Sequence, residues 1–277
     1  MRESALPGGD GRGMVLFIHG LWMHATSWQP WAELFDRSGY DCVLAAWPGE
    51  LATAGDCRAD PAQPGPDDLA RLCGQLTRLA ASLATPPIVI GHGLGGLAAQ
   101  VLLGRGVASA AVALAPPPSR LASLTCVAAL TARRKTWPGP RMAMSYRRAV
   151  MPTAAQFHAG YASAVTRTES DALHTRYVIP AASRMLIQAV LAPAALPAST
   201  VSRGRAGQGP LLLAVGGEDV LIPGATIGTL QRQHRRRFPA AVSDLHVFPG
   251  RGHSMVIDSR WREVAYYCLD WLTAQNL

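Results

Sequence analysis

A chain of 277 residues, 49% of them hydrophobic, can build one α/β domain with an insertion and needs no second independent domain. Its net charge of +8 raises the question of nucleic acid, but the charge gathers in two places: Arg133, Arg134, Lys135, Arg141, Arg147 and Arg148, and then Arg232, Arg235, Arg236 and Arg237. These read as a solvated face and as cations at a helix C-terminus, so no nucleic-acid partner is expected, and an anionic substrate or carrier protein facing the first cluster is left open.

Residues 1–13 are polar and glycine-rich, and the apolar run after them is far too short for a signal sequence or a membrane helix; a soluble, cytoplasmic protein with no membrane partner is expected. That run, MVLFI at 14–18, predicts a strand covered on both faces. Thr26 and Ser27 precede a capped helix over 28–38 with Trp31, Leu34 and Phe35 inward. YDCVLAA at 40–46 predicts a second strand with WPGE as its exit turn, and 51–66 reads as a surface loop. Pro66-Asp67-Asp68 opens a helix to about residue 83.

A strand at 88–90, a helix at 94–103 and a strand at 109–114 follow. Strands alternating with helices, without hairpin signals, imply a parallel sheet with right-handed crossovers. The alternation breaks after APPPSR at 115–120, and the next stretch holds helices at 153–164 and 169–177 but no convincing strand. It resumes with a strand at 210–216, a helix at 225–236, a strand at 242–248 and a helix at 261–275. The simplest organisation is a core of 1–118 and 206–277 with a helical cap, 119–205, inserted in it.

Four of the strands end in glycine-bearing turns: His19-Gly20-Leu21-Trp22, Gly91-His92-Gly93-Leu94-Gly95-Gly96, Gly216-Gly217-Glu218-Asp219 and Gly250-Arg251-Gly252-His253. Each alone is an ordinary turn. Jointly, at the strand ends where an open parallel sheet forms its site, they resemble the α/β-hydrolase fold family, in its small esterase- and lactonase-like branch, over nearly the whole chain. The resemblance implies a mostly parallel sheet of about six strands flanked by helices. It also implies an oxyanion hole from the backbone N–H groups of Leu21 and Leu94, an acid at Asp219 and a base at His253, in the family's chain order. Asp219 would orient the imidazole and stabilise it when protonated.

At Gly93 the sequence departs from the family, which places its serine nucleophile there. Glycine occupies the positive φ of such an elbow without penalty while deleting the hydroxyl. Losing the nucleophile costs a triad hydrolase about a million-fold in turnover, so efficient acyl-enzyme hydrolysis is not expected. Three readings stand: an enzyme in which His253 and Asp219 do non-hydrolytic acid–base chemistry, such as cyclisation, isomerisation or epimerisation, elimination or retro-aldol cleavage; a serine esterase or lactonase whose serine has been replaced by Gly93; and a small-molecule-binding protein on the same fold.

Trp22 and His24 just past the first turn, with Tyr146 and Tyr161 in the insertion, are the candidate substrate contacts, although His24 reads equally as a packed loop histidine. His92 is expected to pack under its turn and Ser254 to bond locally, and nothing places Ser119 or Cys126 beside His253. The five cysteines are scattered without a CxxC pair, and no GxGxxG sits in a dinucleotide context, so neither metal nor organic cofactor is expected. The expected partner is a small, largely apolar carbonyl compound, with a secondary-metabolite intermediate a natural fit; the oligomeric state, including a homo-oligomer, is left open.

Overall fold

The computed structural model describes residues 11–60, 68–117, 149–182, 185 and 209–277. Tyr146, Ser119, Cys126 and the first basic cluster lie outside the described residues. Six strands, β1 (Met14–Ile18), β2 (Asp41–Ala45), β3 (Ile88–His92), β4 (Ala110–Leu114), β7 (Leu211–Gly216) and β8 (Ser243–Phe248), form one sheet in the order β2-β1-β3-β4-β7-β8. Every adjacent pair is parallel. Strands β3, β4 and β7 are buried along their whole length, which is why IVIGH, AAVAL and LLLAVG show no polar alternation.

Among the described residues the helices are α1 (Gln29–Asp36), α2 (Ala54–Ala59), α3 (Leu69–Ser82), α4 (Leu94–Gly104), α5 (Ala154–Gly160), α6 (Arg167–Tyr177), α7 (Gly224–Arg237) and α8 (Trp261–Ala274). Asp68 caps α3 by accepting from the N–H groups of Ala70 and Arg71, and Thr153 with Gln156 forms a capping box on α5. Helix α4 is buried on nearly every side, so it carries glycine and alanine where it lies on the sheet: a Cβ on Gly96 would stand 3.0 Å from the Gly91 carbonyl oxygen. Phe17, Trp28, Trp31 and Phe35 interlock under β1, with ring centroids 5.0–6.4 Å apart.

Three local expectations need correcting. The helix expected over 28–38 begins with a 3-10 turn at Ala25–Trp28, whose cap is His24 and not Thr26 or Ser27: the His24 ring accepts from the Thr26 N–H. The expected loop at 51–66 holds α2, started by the Thr53 hydroxyl accepting from the Asp56 N–H. Between β4 and β7, where no strand was expected, β5 (Ala149–Val150) pairs antiparallel with β6 (Ala181–Ala182). Two residues per strand are too few to leave an alternation pattern.

Candidate active site

The turn from β3 into α4 sets the centre of the site. Gly93, with φ 55° and ψ −120°, is the residue before α4, a conformation that side chains other than hydrogen seldom adopt. Its neighbours are glycine for a different reason. A Cβ on Gly91 would overlap the Gly95 carbonyl, and one on Gly95 would overlap the Ile18 carbonyl, so helix and strands touch backbone to backbone here. At 93 itself there is space. A Cβ there would lie 3.7 Å from the Gly20 Cα and 3.7 Å from His253 Nε2, ordinary contact distances.

His253 comes from the loop after β8. Gly250 turns that loop at φ 65°, and the Glu218 N–H donates to the Arg251 carbonyl at 2.9 Å, tying the β7 and β8 turns together. The tie brings His253 Nδ1 within 2.7 Å of Asp219 Oδ2. The other carboxylate oxygen, Oδ1, accepts from the N–H groups of Leu221 and Ile222 at 2.8 Å each, so the acid cannot rotate away from the ring. Both residues are 6% exposed. The N–H groups of Leu21 and Leu94 are not spent on any hydrogen bond within the described residues, and Leu94 opens α4, whose N-terminus favours negative charge.

Tyr161, from the segment between β4 and β7, reaches this centre. Its ring stands edge-on to His253 at 4.7 Å, and its hydroxyl lies 3.1 Å from His92 Nδ1. Burial, with the charge of His253 as a second cause, drives the His92 pKa well below the histidine range, so the ring is neutral and its Nδ1 and the phenol share one hydrogen bond. Burial likewise raises the Tyr161 phenol well above its usual pKa, with Asp219 adding to it, and keeps it a neutral donor. His92 therefore packs beneath its turn as expected, but it does so as a hydrogen-bond partner for the tyrosine.

Trp22 and His24 do not join this centre. Trp22, held at φ 66°, donates its indole N–H to the Val150 carbonyl at 2.8 Å, and its own carbonyl accepts from the Ile179 N–H. His24 is 3% exposed and faces Thr26, Leu51 and Glu50. Ser254 donates its hydroxyl to Asp258 Oδ2 at 3.1 Å, a local bond. Sequence reasoning missed Glu50 altogether: buried beside His19 and His24, its carboxylate accepts from the N–H groups of Ala25 and Trp47. Burial works to raise its pKa, but His19, the backbone donors and His24 outweigh burial and hold it below the usual carboxylate value. No local signal marks it, since in the sequence Glu50 reads only as the last residue of the exit turn WPGE. Among the described residues no group of three or more His, Cys, Asp and Glu side chains is arranged to hold a metal ion. No described helix is long and apolar enough to cross a membrane.

Comparison with known proteins gives the same architecture. In solved structures the chain resembles a monoacylglycerol lipase from Paleococcus ferrophilus (TM-score 0.59, 17% identity, 95% of each chain covered). It also resembles a methylesterase from Arabidopsis (0.59, 17%, 94% of this chain and 98% of that one). A histidine-to-alanine variant of tomato methylketone synthase I, complexed with β-ketoheptanoate, aligns with a TM-score of 0.66 at 15% identity, over 95% of this chain and 98% of that one. No curated protein matches by sequence. The model of the alpha/beta hydrolase family matches residues 15–265, and with the parallel sheet and the turns that follow its strands it shows that this chain belongs to that family.

Proposed function

We propose that the chain is an enzyme that has given up hydrolysis and uses His253 as a proton-transfer group on a small carbonyl compound. The observation that carries this reading is at Gly93: a Cβ built there would stand 3.7 Å from His253 Nε2, and the His253–Asp219 bond is intact; on this reading Gly93 occupies the place of the family's serine. A base without a nucleophile beside it is placed to take a proton from a substrate.

In this mechanism the substrate carbonyl lies between the N–H groups of Leu21 and Leu94, in the room that the missing hydroxymethyl leaves. His253 Nε2 removes a proton next to the carbonyl, and the electrons move to the carbonyl oxygen, where the two N–H groups stabilise the enolate. Asp219 balances the imidazolium that results. Returning the proton elsewhere gives isomerisation or epimerisation; expelling a neighbouring substituent gives elimination; attack by the enolate on a second group gives cyclisation. No metal or organic cofactor enters any of these steps. On this reading the described part of the insertion, residues 149–182, serves as a cap, with Tyr161 its contribution to the wall. A fold neighbour named for making a methylketone, and bound to a β-keto acid, supports a carbonyl substrate. A serine hydrolase with its nucleophile replaced by glycine is the second reading, favoured by the retained φ of 55° at 93.

The experiment incubates the protein with a panel of 1,3-diketones and β-keto esters in D₂O and follows exchange of the α-proton by NMR. Exchange in the parent chain that vanishes in His253→Ala supports proton transfer. Binding without exchange makes the chain a binding protein and ends this proposal. Gly93→Ser, assayed with p-nitrophenyl esters, is expected to gain at least ~10³-fold over the parent, since the nucleophile is worth about 10⁶ in triad hydrolases. A gain with no exchange by the parent favours the second reading.

A further inference from the structure

The buried cluster behind the first turn contains a charge that the site does not account for. His19 is 2% exposed, and both of its ring nitrogens are bonded: Nε2 to Glu50 Oε2 at 2.8 Å and Nδ1 to the Gly20 carbonyl at 2.9 Å. A carbonyl oxygen only accepts, and so does an ionised carboxylate, so each nitrogen must bring a hydrogen. We propose that His19 is held as a doubly protonated imidazolium, and that the His19–Glu50 ion pair is the positioning device for the turn that presents the Leu21 N–H.

The surroundings agree with a cation. The His19 ring stacks on the Trp47 indole with centroids 4.5 Å apart and planes at 25°, the arrangement in which an aromatic face stabilises positive charge. The Glu50 side chain is 2% exposed and receives four donors: the Ala25 N–H at 2.7 Å, the Trp47 N–H at 2.9 Å, His19, and His24 Nε2 at 3.1 Å. His24 is the neutral member. Its Nδ1 accepts from the Thr26 N–H at 3.2 Å, and Nε2 carries its one hydrogen toward Leu51 and Glu50. The cluster thus contains one positive and one negative charge and is neutral as a unit, the condition under which buried ions are tolerated. The other titratable groups near it are His92, whose protonation the His19 charge opposes, and Cys57, whose thiol is pushed up by burial and, among other causes, by the Glu50 charge.

The consequence falls on the loop. The Gly20 carbonyl accepts from both His19 Nδ1 and the Met23 N–H, at 2.9 and 3.2 Å, so it is clamped on both sides of Leu21. The clamp fixes the peptide whose neighbouring N–H faces the site and leaves a positive charge within two residues of it. This second part rests on the proposed role of the Leu21 N–H.

Two measurements separate the parts. In the parent chain at neutral pH the ¹⁵N spectrum of His19 is expected to show a hydrogen on both ring nitrogens, as their two acceptors require, and Glu50→Gln is expected to convert it to a neutral tautomer. A neutral His19 in the parent overturns the proposal, whatever the protein catalyses and whether or not the variant folds. In a Gly93→Ser background that hydrolyses esters, adding Glu50→Gln should lower kcat at least ~10-fold with KM within about twofold, a part of the ~10² or more lost when an oxyanion donor is deleted. An unchanged kcat overturns the positioning role while leaving the charge assignment standing. If Gly93→Ser gains no esterase activity, α-proton exchange by the parent and by Glu50→Gln takes its place as the readout, with the same outcomes.

Discussion

Gly91, Gly93 and Gly95 stand two residues apart and are glycine on different grounds. A side chain at 91 or 95 overlaps backbone, whereas a Cβ at 93 makes only ordinary contacts, 3.7 Å from Gly20 Cα and from His253 Nε2, and is opposed by its own torsion. Gly95→Ala is therefore expected to cost several kcal/mol, about 3 or more, because α4 must lift off the Ile18 carbonyl to admit a methyl group. Failure to express folded, or a urea midpoint far below the parent's, checks this. Gly93→Ser should fold with a penalty of about 1–3 kcal/mol from the positive φ, measured by the same unfolding curve. The sequence made this contrast half legible: the spacing of the glycines marked the turn, but which of them are steric requirements depends on the carbonyls of a distant strand. Glu50 was illegible for the same reason. Its partner His19 lies 31 residues earlier, and only the parallel pairing of β1 with β2 brings the two together.

Among the elements, the loop that carries His253 is tied at several points. Arg251, 2% exposed, pairs with the buried Asp258, which also accepts from Ser254, while Trp31 donates its indole N–H to the Val256 carbonyl at 2.8 Å. Burial raises the Asp258 pKa and Arg251 opposes the rise. Arg251→Met leaves that carboxylate buried without its cation and should cost about 3–5 kcal/mol by urea unfolding, with much of the loss recovered in the Arg251→Met/Asp258→Leu double variant. If the single variant is as stable as the parent, the pair does not hold the loop. The core elements were readable because each has a strong signature, such as the unbroken apolar strands and the acidic cap of α3. Helix α2 was not, since AGDCRA offers six residues of no clear periodicity, and its existence rests on the Thr53 cap. Strands β5 and β6 are defined by the pairing itself, which no local pattern records.

At the scale of the molecule, the segment between β4 and β7 is seamed to the first turn by the Trp22 indole on Val150, the Ile179 N–H on the Trp22 carbonyl and the His24 N–H on the Tyr177 carbonyl. Trp22, expected at the substrate, belongs to this seam. Histidines that the fold holds partly or wholly out of water also shape its response to acid. Burial lowers His234 from 6.5 to about 4, and lowers His246 and His92 in the same direction. A folded-state pKa below the unfolded one means that the unfolded chain takes up the protons first. The stability these groups contribute is complete above about pH 6.5 and is lost as the pH falls toward 4. The Tm should accordingly drop between pH 7 and pH 4, and less steeply in His234→Leu; equal slopes would rule His234 out as a contributor.

The empty place at position 93 also makes the molecule addressable. Burial pushes the thiols of Cys42 and Cys73 up to about 12 and raises those of Cys57 and Cys268. At neutral pH these four are poor nucleophiles. Gly93→Cys would set one thiol beside the imidazole of His253, in the one turn of the β3–α4 junction with space for it. With Cys126, which lies outside the described residues, replaced by serine, an alkylating reagent would mark position 93 ahead of these four, turning the site into a single covalent attachment point for a spectroscopic probe or a tethered ligand.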